Sequence, residues 1–172
     1  MSDETQTAIT TFLADPATHG ASEAVTRVDT HISQLFLIGH RVFKLKRALH
    51  LPYLDFSTPE QRLAACEKEL RLNRRTAPEL YLGVRRITEG TNGPEFDGTG
   101  ALLDAVVEMR RFDQDAVFDA MAQQGALTSG HMDALAREIT RFHADAPVDD
   151  GVGGADNIAS VLRVNAEAFR KS

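Results

Sequence analysis

Lys44 and Lys46 stand two residues apart in the stretch Val42-Phe-Lys-Leu-Lys46. Alternation along a strand puts both ammonium groups on one face. The preceding run, Ser33 to Ile38, is joined to this one by Gly39-His40, and a two-residue loop with glycine first fits a type II′ hairpin. Such a turn pairs Ile38 with Arg41, Leu37 with Val42, Phe36 with Phe43, Leu35 with Lys44, Gln34 with Leu45 and Ser33 with Lys46. One face then shows Phe36, Phe43 and Leu45 and needs a cover. The other shows Leu35, Leu37 and Val42, with Ser33, Lys44 and Lys46 at its cationic end. That second face suits a flat apolar group with an anion beside it. Further along, Glu67 and Glu69 offer carboxylates on a predicted helix.

The elements that must position these groups are legible in outline. A helix over residues 3–14 places Ile9, Phe12 and Leu13 on one side and is ended by Asp15-Pro16. Residues 24–28 form a short strand candidate. Thr58, Pro59 and Gln61 start a helix over 58–77 with an N-cap, a first-turn proline and a capping-box glutamine. Leu63, Cys66, Leu70 and Ala77 make its core stripe, flanked on opposite sides by Glu67 and Glu69, and Pro78 ends it. A basic strand over 80–87 follows, then the turn-rich connection EGTNGPEFDGTG. That connection lacks the Gly-Lys-Ser/Thr ending of a phosphate loop. Residues 101–109 read as a buried central strand around Val106-Val107. Beyond about 113 the pattern is helical: 114–124, then 129–145 with Leu135, Ile139 and Phe142 spaced for burial, a Gly/Asp-rich loop over 146–156, and 157–170. The fold class is α+β.

Composition narrows the functions. The 172 residues carry a net charge of −6, so the chain as a whole is no electrostatic match for nucleic acid or an anionic membrane. Cys66 is the one cysteine, which excludes an intrachain disulfide and suits a reducing compartment, hence a cytoplasmic expectation. The first twelve residues lack the basic and apolar regions of a signal peptide. Taken without further context, His31 reads as a structural loop residue and His143 as a helix histidine, and Arg85, Arg86, Arg110 and Arg111 read as surface charge.

A strand, a hairpin whose second strand carries lysine, a carboxylate-bearing helix, two strands and then helices is the order that phosphoryl transfer of the protein-kinase type uses. There a third-strand lysine neutralises phosphates, a helix glutamate holds the lysine, and a buried strand leads into a hinge. The stretches Thr30-His-Ile-Ser33, VFKLKR, LDFST at 54–58, ACEKELRLNRR at 65–75, APELYLGV at 77–84, EMRRF at 108–112 and RFHA at 141–144 carry a more specific resemblance. Together they resemble the N-terminal part of an aminoglycoside-phosphotransferase-like domain, as in bacterial bifunctional aminoglycoside phosphotransferase/ATP-binding proteins.

The resemblance implies a kinase-like small lobe over 1–109 and a hinge with an incomplete helical lobe over 110–172. It implies ATP with Mg²⁺ as cofactors and an unnamed small-molecule hydroxyl as acceptor. Lys46 would position phosphate, with Lys44 as the alternative. Glu67 or Glu69 would hold the lysine, Ser33 would lie in the loop over the phosphates, and Val107 would lead into a hinge of Glu108, Met109 and Arg110. Where members of that family often continue Lys-Pro, this chain has Arg47-Ala48. No His-Gly-Asp catalytic loop or following metal-binding aspartate is in the sequence. The nearest likeness, His143-Ala-Asp145, has Asp150 where asparagine belongs. The expectation is therefore a fragment without metal ligands and without turnover of its own. The competing expectation is a non-catalytic module that self-associates through exposed apolar surface.

Overall fold

The computed structural model describes residues 2–148 and 153–171, so Asp150 and part of the 146–156 loop lie outside the described residues. The chain divides into two compact units, Met1–Leu127 and Thr128–Ser172.

The first unit is mixed α+β, built on an antiparallel sheet. Strands β2 (Ser33–Ile38) and β3 (Arg41–Lys46) pair from Ile38↔Arg41 to Ser33↔Lys46, the register that a two-residue loop demands. Gly39 supplies the left-handed conformation of that turn, with φ +51°. The sheet has six strands in the order β1 (Thr26–Asp29), β2, β3, β8 (Leu102–Arg110), β6 (Tyr81–Gly90), β7 (Gly93–Phe96). β3 is therefore an interior strand, and β8 lies between β3 and β6 with Asp104 to Glu108 buried throughout.

Each face of the sheet has its own cover. Helix α1 (Ser2–Ala14) lays Ile9 and Leu13, one turn apart, on Phe36, Ile38, Phe43, Leu45, Ile87 and Val106. Each such side chain contributes roughly 1.5–3 kcal/mol on leaving water. Helix α2 (Pro59–Asn73) covers the opposite face through Cys66 and Leu63, against Ala105, Val107, Val84 and Met109. It starts on the full capping box expected of Thr58 and Gln61. It ends at Asn73, earlier than the 58–77 span, so Ala77 falls in the turns that follow.

Several elements differ from the sequence expectation. The connection over 89–100 holds β7, which pairs Gly90 with Gly93 and Ile87 with Phe96. Its Pro94 is tolerated because β7 is an edge strand. A two-stranded ribbon, β4 (His50–Leu51) with β5 (Leu54–Asp55), turns over Pro52-Tyr53. The 114–124 helix is a 3₁₀ turn over Gln114–Ala116 followed by the short α3 (Phe118–Gln123).

The second unit contains α4 (Ser129–Ala144) and α5 (Ala155–Lys171). Leu135 and Ile139 were spaced for burial, but both are exposed, and Phe142 is half-buried. The spacing makes α4 amphipathic without supplying a surface to cover it. On α5, Ile158, Val161, Leu162 and Val164 are exposed as well. Among the described residues no helix is long and apolar enough to cross a membrane.

Candidate anion site between β3 and α2

Glu69 receives both lysines. Lys44 Nζ lies 2.8 Å from its Oε1 and Lys46 Nζ 2.6 Å from its Oε2. The hairpin register puts the two ammonium groups on the α2 side of the sheet. The α-helical period brings Arg62, Cys66 and Glu69 to the α2 face that meets it. Glu67, the other candidate on α2, is exposed and takes no part in the cluster. The lysines differ in access, with side-chain exposures of 28% for Lys44 and 6% for Lys46. The Lys46 ammonium also lies 5.2 Å from the centre of the Phe56 ring, close enough for a cation–π contribution.

Burial pushes the Glu69 carboxyl upward, but hydrogen bonds from Lys44 and Lys46 and their charges outweigh it, so it is held below the ordinary carboxylate range. Two ammonium groups against one carboxylate leave the cluster with one uncompensated positive charge. Beside it, the phenol of Tyr81 is raised by burial and by the charge of Glu69. The Cys66 thiol is pushed up to about 12, chiefly by burial, which makes it a packing residue and no nucleophile.

A second ion pair fixes the same helix. Arg62 Nε lies 2.8 Å from Asp104 Oδ1, with both side chains almost fully buried. Arg62 also donates to the Phe56 carbonyl at 3.0 Å, and Asp104 accepts the Ala105 N–H at 2.8 Å. Burial raises the Asp104 carboxyl, and Arg62 only partly offsets it. Gln6 of α1 completes the frame. Its amide donates to Lys46 O at 3.0 Å and to Asp104 Oδ2 at 3.3 Å, and its carbonyl accepts from Ala48 N at 2.6 Å.

Ser33 is buried opposite Lys46, and its hydroxyl has no hydrogen-bond partner among the described residues. Leu35 and Leu37 are half-buried and Val42 buried on the lysine face, with Val107 opposite Lys44 and Met109 opposite Val42. Glu108 turns to the other face, where it binds Arg41 at 2.6 Å and approaches Arg85 at 3.7 Å. The three hinge candidates lie within the sheet. Glu108, Met109 and Arg110 are ladder residues of β8, and the Arg110 and Arg111 N–H groups donate to Leu80 O and His40 O. A connection free of the ladder starts at Phe112. Arg85 likewise is no loose surface charge, since it pairs with Asp97 and lies over the Phe96 ring.

Gln6, Phe56, Arg62, Tyr81 and Asp104 were not read as site residues. Asp104 had a signal, as a lone charge inside an apolar central strand must find a partner. Arg62 had one too, lying on the same helical face as Cys66 and Glu69. Two clefts lie elsewhere: one of about 430 Å³ includes Gln6, Thr10, Arg27 and Arg47, another of about 440 Å³ includes His19, Phe43, Arg41 and Phe96. Neither is lined by the lysines or Glu69. The charge cluster is the candidate site because it combines largely buried ionised groups with an excess of positive charge. Among the described residues no group of three or more His, Cys, Asp or Glu side chains could hold a metal ion, so Mg²⁺ is assigned no ligands.

Fold and site together describe a mixed α+β unit in which two lysines of β3 share one glutamate of α2. Over 135 residues, or 78% of its length, the chain is 32% identical to uncharacterized proteins of Mycobacterium bovis and Mycobacterium tuberculosis. The matched part is 26% of each of those proteins, so the chain spans about a quarter of the length of the curated relatives it matches. No protein-family model matches the chain, and no solved structure does.

Proposed function

We propose that the first unit is the small, nucleotide-binding lobe of an aminoglycoside-phosphotransferase-like, protein-kinase-like domain. The full-length protein would transfer the γ-phosphoryl of ATP to a small-molecule hydroxyl. The observation that carries this reading is the sharing of Glu69 by Lys44 and Lys46, which leaves a net positive charge beside a half-covered apolar strip. The adenine lies on Leu35 and Leu37 beside Val42, with the half-buried Met109 next to Val42 and Val107 shut in beneath α2. The phosphates meet the lysine pair, and Glu69 holds the ammonium groups so that little reorganisation is needed when the anion arrives. The Ser33 hydroxyl is the neutral donor at the same end.

A general base has no counterpart in this sequence, so the chain binds ATP without turnover. Titrating ATP against the wild type and the Lys44→Met/Lys46→Met double variant tests the reading. Saturable binding in the first and its loss in the second is the expected result, and equal affinities would remove the lysines from any nucleotide site.

A second reading, a self-associating module, draws on the exposed apolar residues of α4 and α5. Sedimentation with and without ATP separates the two, because dimers that ignore nucleotide favour the module.

A further inference from the structure

Lys44 and Lys46 share one carboxylate. Their surroundings differ in ways that divide the work between them. Lys46 is almost fully buried. Its ammonium lies between Glu69 Oε2 and the Phe56 ring, and its side chain is 6% exposed. Its carbonyl is clamped by Gln6, which also holds the N–H of Ala48 two residues on. Turning this ammonium toward a ligand breaks a 2.6 Å charge-assisted bond in a nearly dry setting.

Lys44 keeps its bond to Oε1 at 2.8 Å while remaining 28% exposed. An ammonium has three donors, and only one is committed here to the carboxylate. Lys44 is also the lysine adjacent to the apolar strip. It stands directly opposite Leu35 on β2 and Val107 on β8, and Val42 is its next neighbour on the same face. A group seated on that strip brings its charged end to Lys44 before it reaches Lys46, which lies another ~6.8 Å along the strand.

Resting on the nucleotide reading above, we infer that Lys44 is the ammonium that meets an incoming phosphate. Lys46 is a positioning residue that keeps the Glu69 carboxylate fixed and ionised for Lys44. This reverses the order of the two lysines that the sequence suggested. The groups facing Glu69 are Lys44 and Lys46 from β3 and Tyr81 from β6, with Cys66 one turn before it on α2. Removal of Lys46 therefore leaves Lys44 as the one cation on the carboxylate, and the acid limb of ligand binding moves to higher pH.

The test is an ATP titration across pH, with thermal melts, for wild type, Lys44→Met, Lys46→Met and Lys46→Arg. Lys44→Met is expected to weaken ATP binding by about tenfold or more while the melting temperature changes little. Lys46→Met is expected to lower the melting temperature and, at neutral pH, to weaken binding less than Lys44→Met does. Its acid limb moves upward, and Lys46→Arg restores the limb, which a merely structural defect would not do. Wild-type binding by Lys44→Met, with the main loss in Lys46→Arg, overturns the assignment. Should the wild type bind no ATP, the nucleotide reading fails and the lysines are separated by amine labelling with inorganic tripolyphosphate as the probe. Shielding of Lys44 by tripolyphosphate, with Lys46 labelled only on unfolding, upholds the division. Absence of shielding at Lys44 ends it.

Discussion

Arg62 and Glu69 lie two helical turns apart on one face of α2, and each carries an ion pair to the sheet, Arg62 to Asp104 and Glu69 to Lys44 and Lys46. Cys66 packs between them against Ala105 and Val107. A buried stripe that reads Arg-Cys-Glu is polar at both ends, so the helix has only one axial position at which both charges are satisfied. A slip by one residue would strand two buried ions at once.

The Arg62–Asp104 pair should therefore be strongly asymmetric to mutation. Arg62→Met leaves Asp104 buried without its cation and should lower stability by about 3–5 kcal/mol. The double variant Arg62→Met/Asp104→Leu should recover most of that loss. Urea denaturation of the wild type, both single variants and the double variant measures it, and additive losses would contradict a pair that acts as a unit.

The Glu69 cluster sets a pH dependence with a definite sign. The folded-state value lies below the ordinary value of 4.5 because the two lysines outweigh burial. Its contribution to stability is thus fully present above pH 4.5 and is lost as pH falls through the depressed folded value. Asp104, raised by burial above 3.8, acts in the opposite direction, favouring the folded state as it takes up its proton. Comparison with Glu69→Gln isolates the first effect: the stability gap between the two proteins should narrow as pH falls below 4.5.

Cys66 reports on opening of α2. Its thiol is fully buried and pushed up to about 12, so a disulfide reagent at pH 8 should react only through unfolding or undocking of the helix. Full reaction in denaturant and strong protection in the folded chain is the expected pair of rates. Arg62→Met should speed labelling of the folded protein.

Ser33→Ala separates folding from binding. The hydroxyl is buried with no partner among the described residues, so its removal should leave the melting temperature unchanged or raised. ATP affinity should fall in the same variant, and an unchanged affinity would take Ser33 out of the phosphate end of the site.

How far the sequence reached depended on where each instruction is written. The hairpin was fully legible, because a two-residue loop and the alternation of Leu35, Leu37, Val42, Lys44 and Lys46 fix register and face locally. The start of α2 was legible for the same reason, with Thr58 and Gln61 three residues apart. Apolar periodicity, by contrast, assigned the α2 stripe to Leu63, Cys66 and Leu70 and passed over Arg62, whose burial depends on a partner far along the chain at Asp104. The choice between Glu67 and Glu69 had the same character, since only the docked helix shows which carboxylate meets β3. β7 was hidden by its own turn chemistry, as the glycines and proline that mark a loop also suit a short edge strand. In α4, spacing alone suggested burial for Leu135 and Ile139, which a spacing rule cannot grant.

Gln6 gives the N-terminal helix a meaning beyond that of a lid on the apolar face. One amide side chain touches the last residue of the lysine strand, the backbone two residues beyond it, and the aspartate that anchors α2. A shortened chain that begins after α1 would keep every residue of the charged cluster yet lose the peg that holds its geometry. Fragments cut for expression should accordingly be judged by whether they retain that glutamine, since a soluble sheet lacking it would give a misleadingly negative ligand screen.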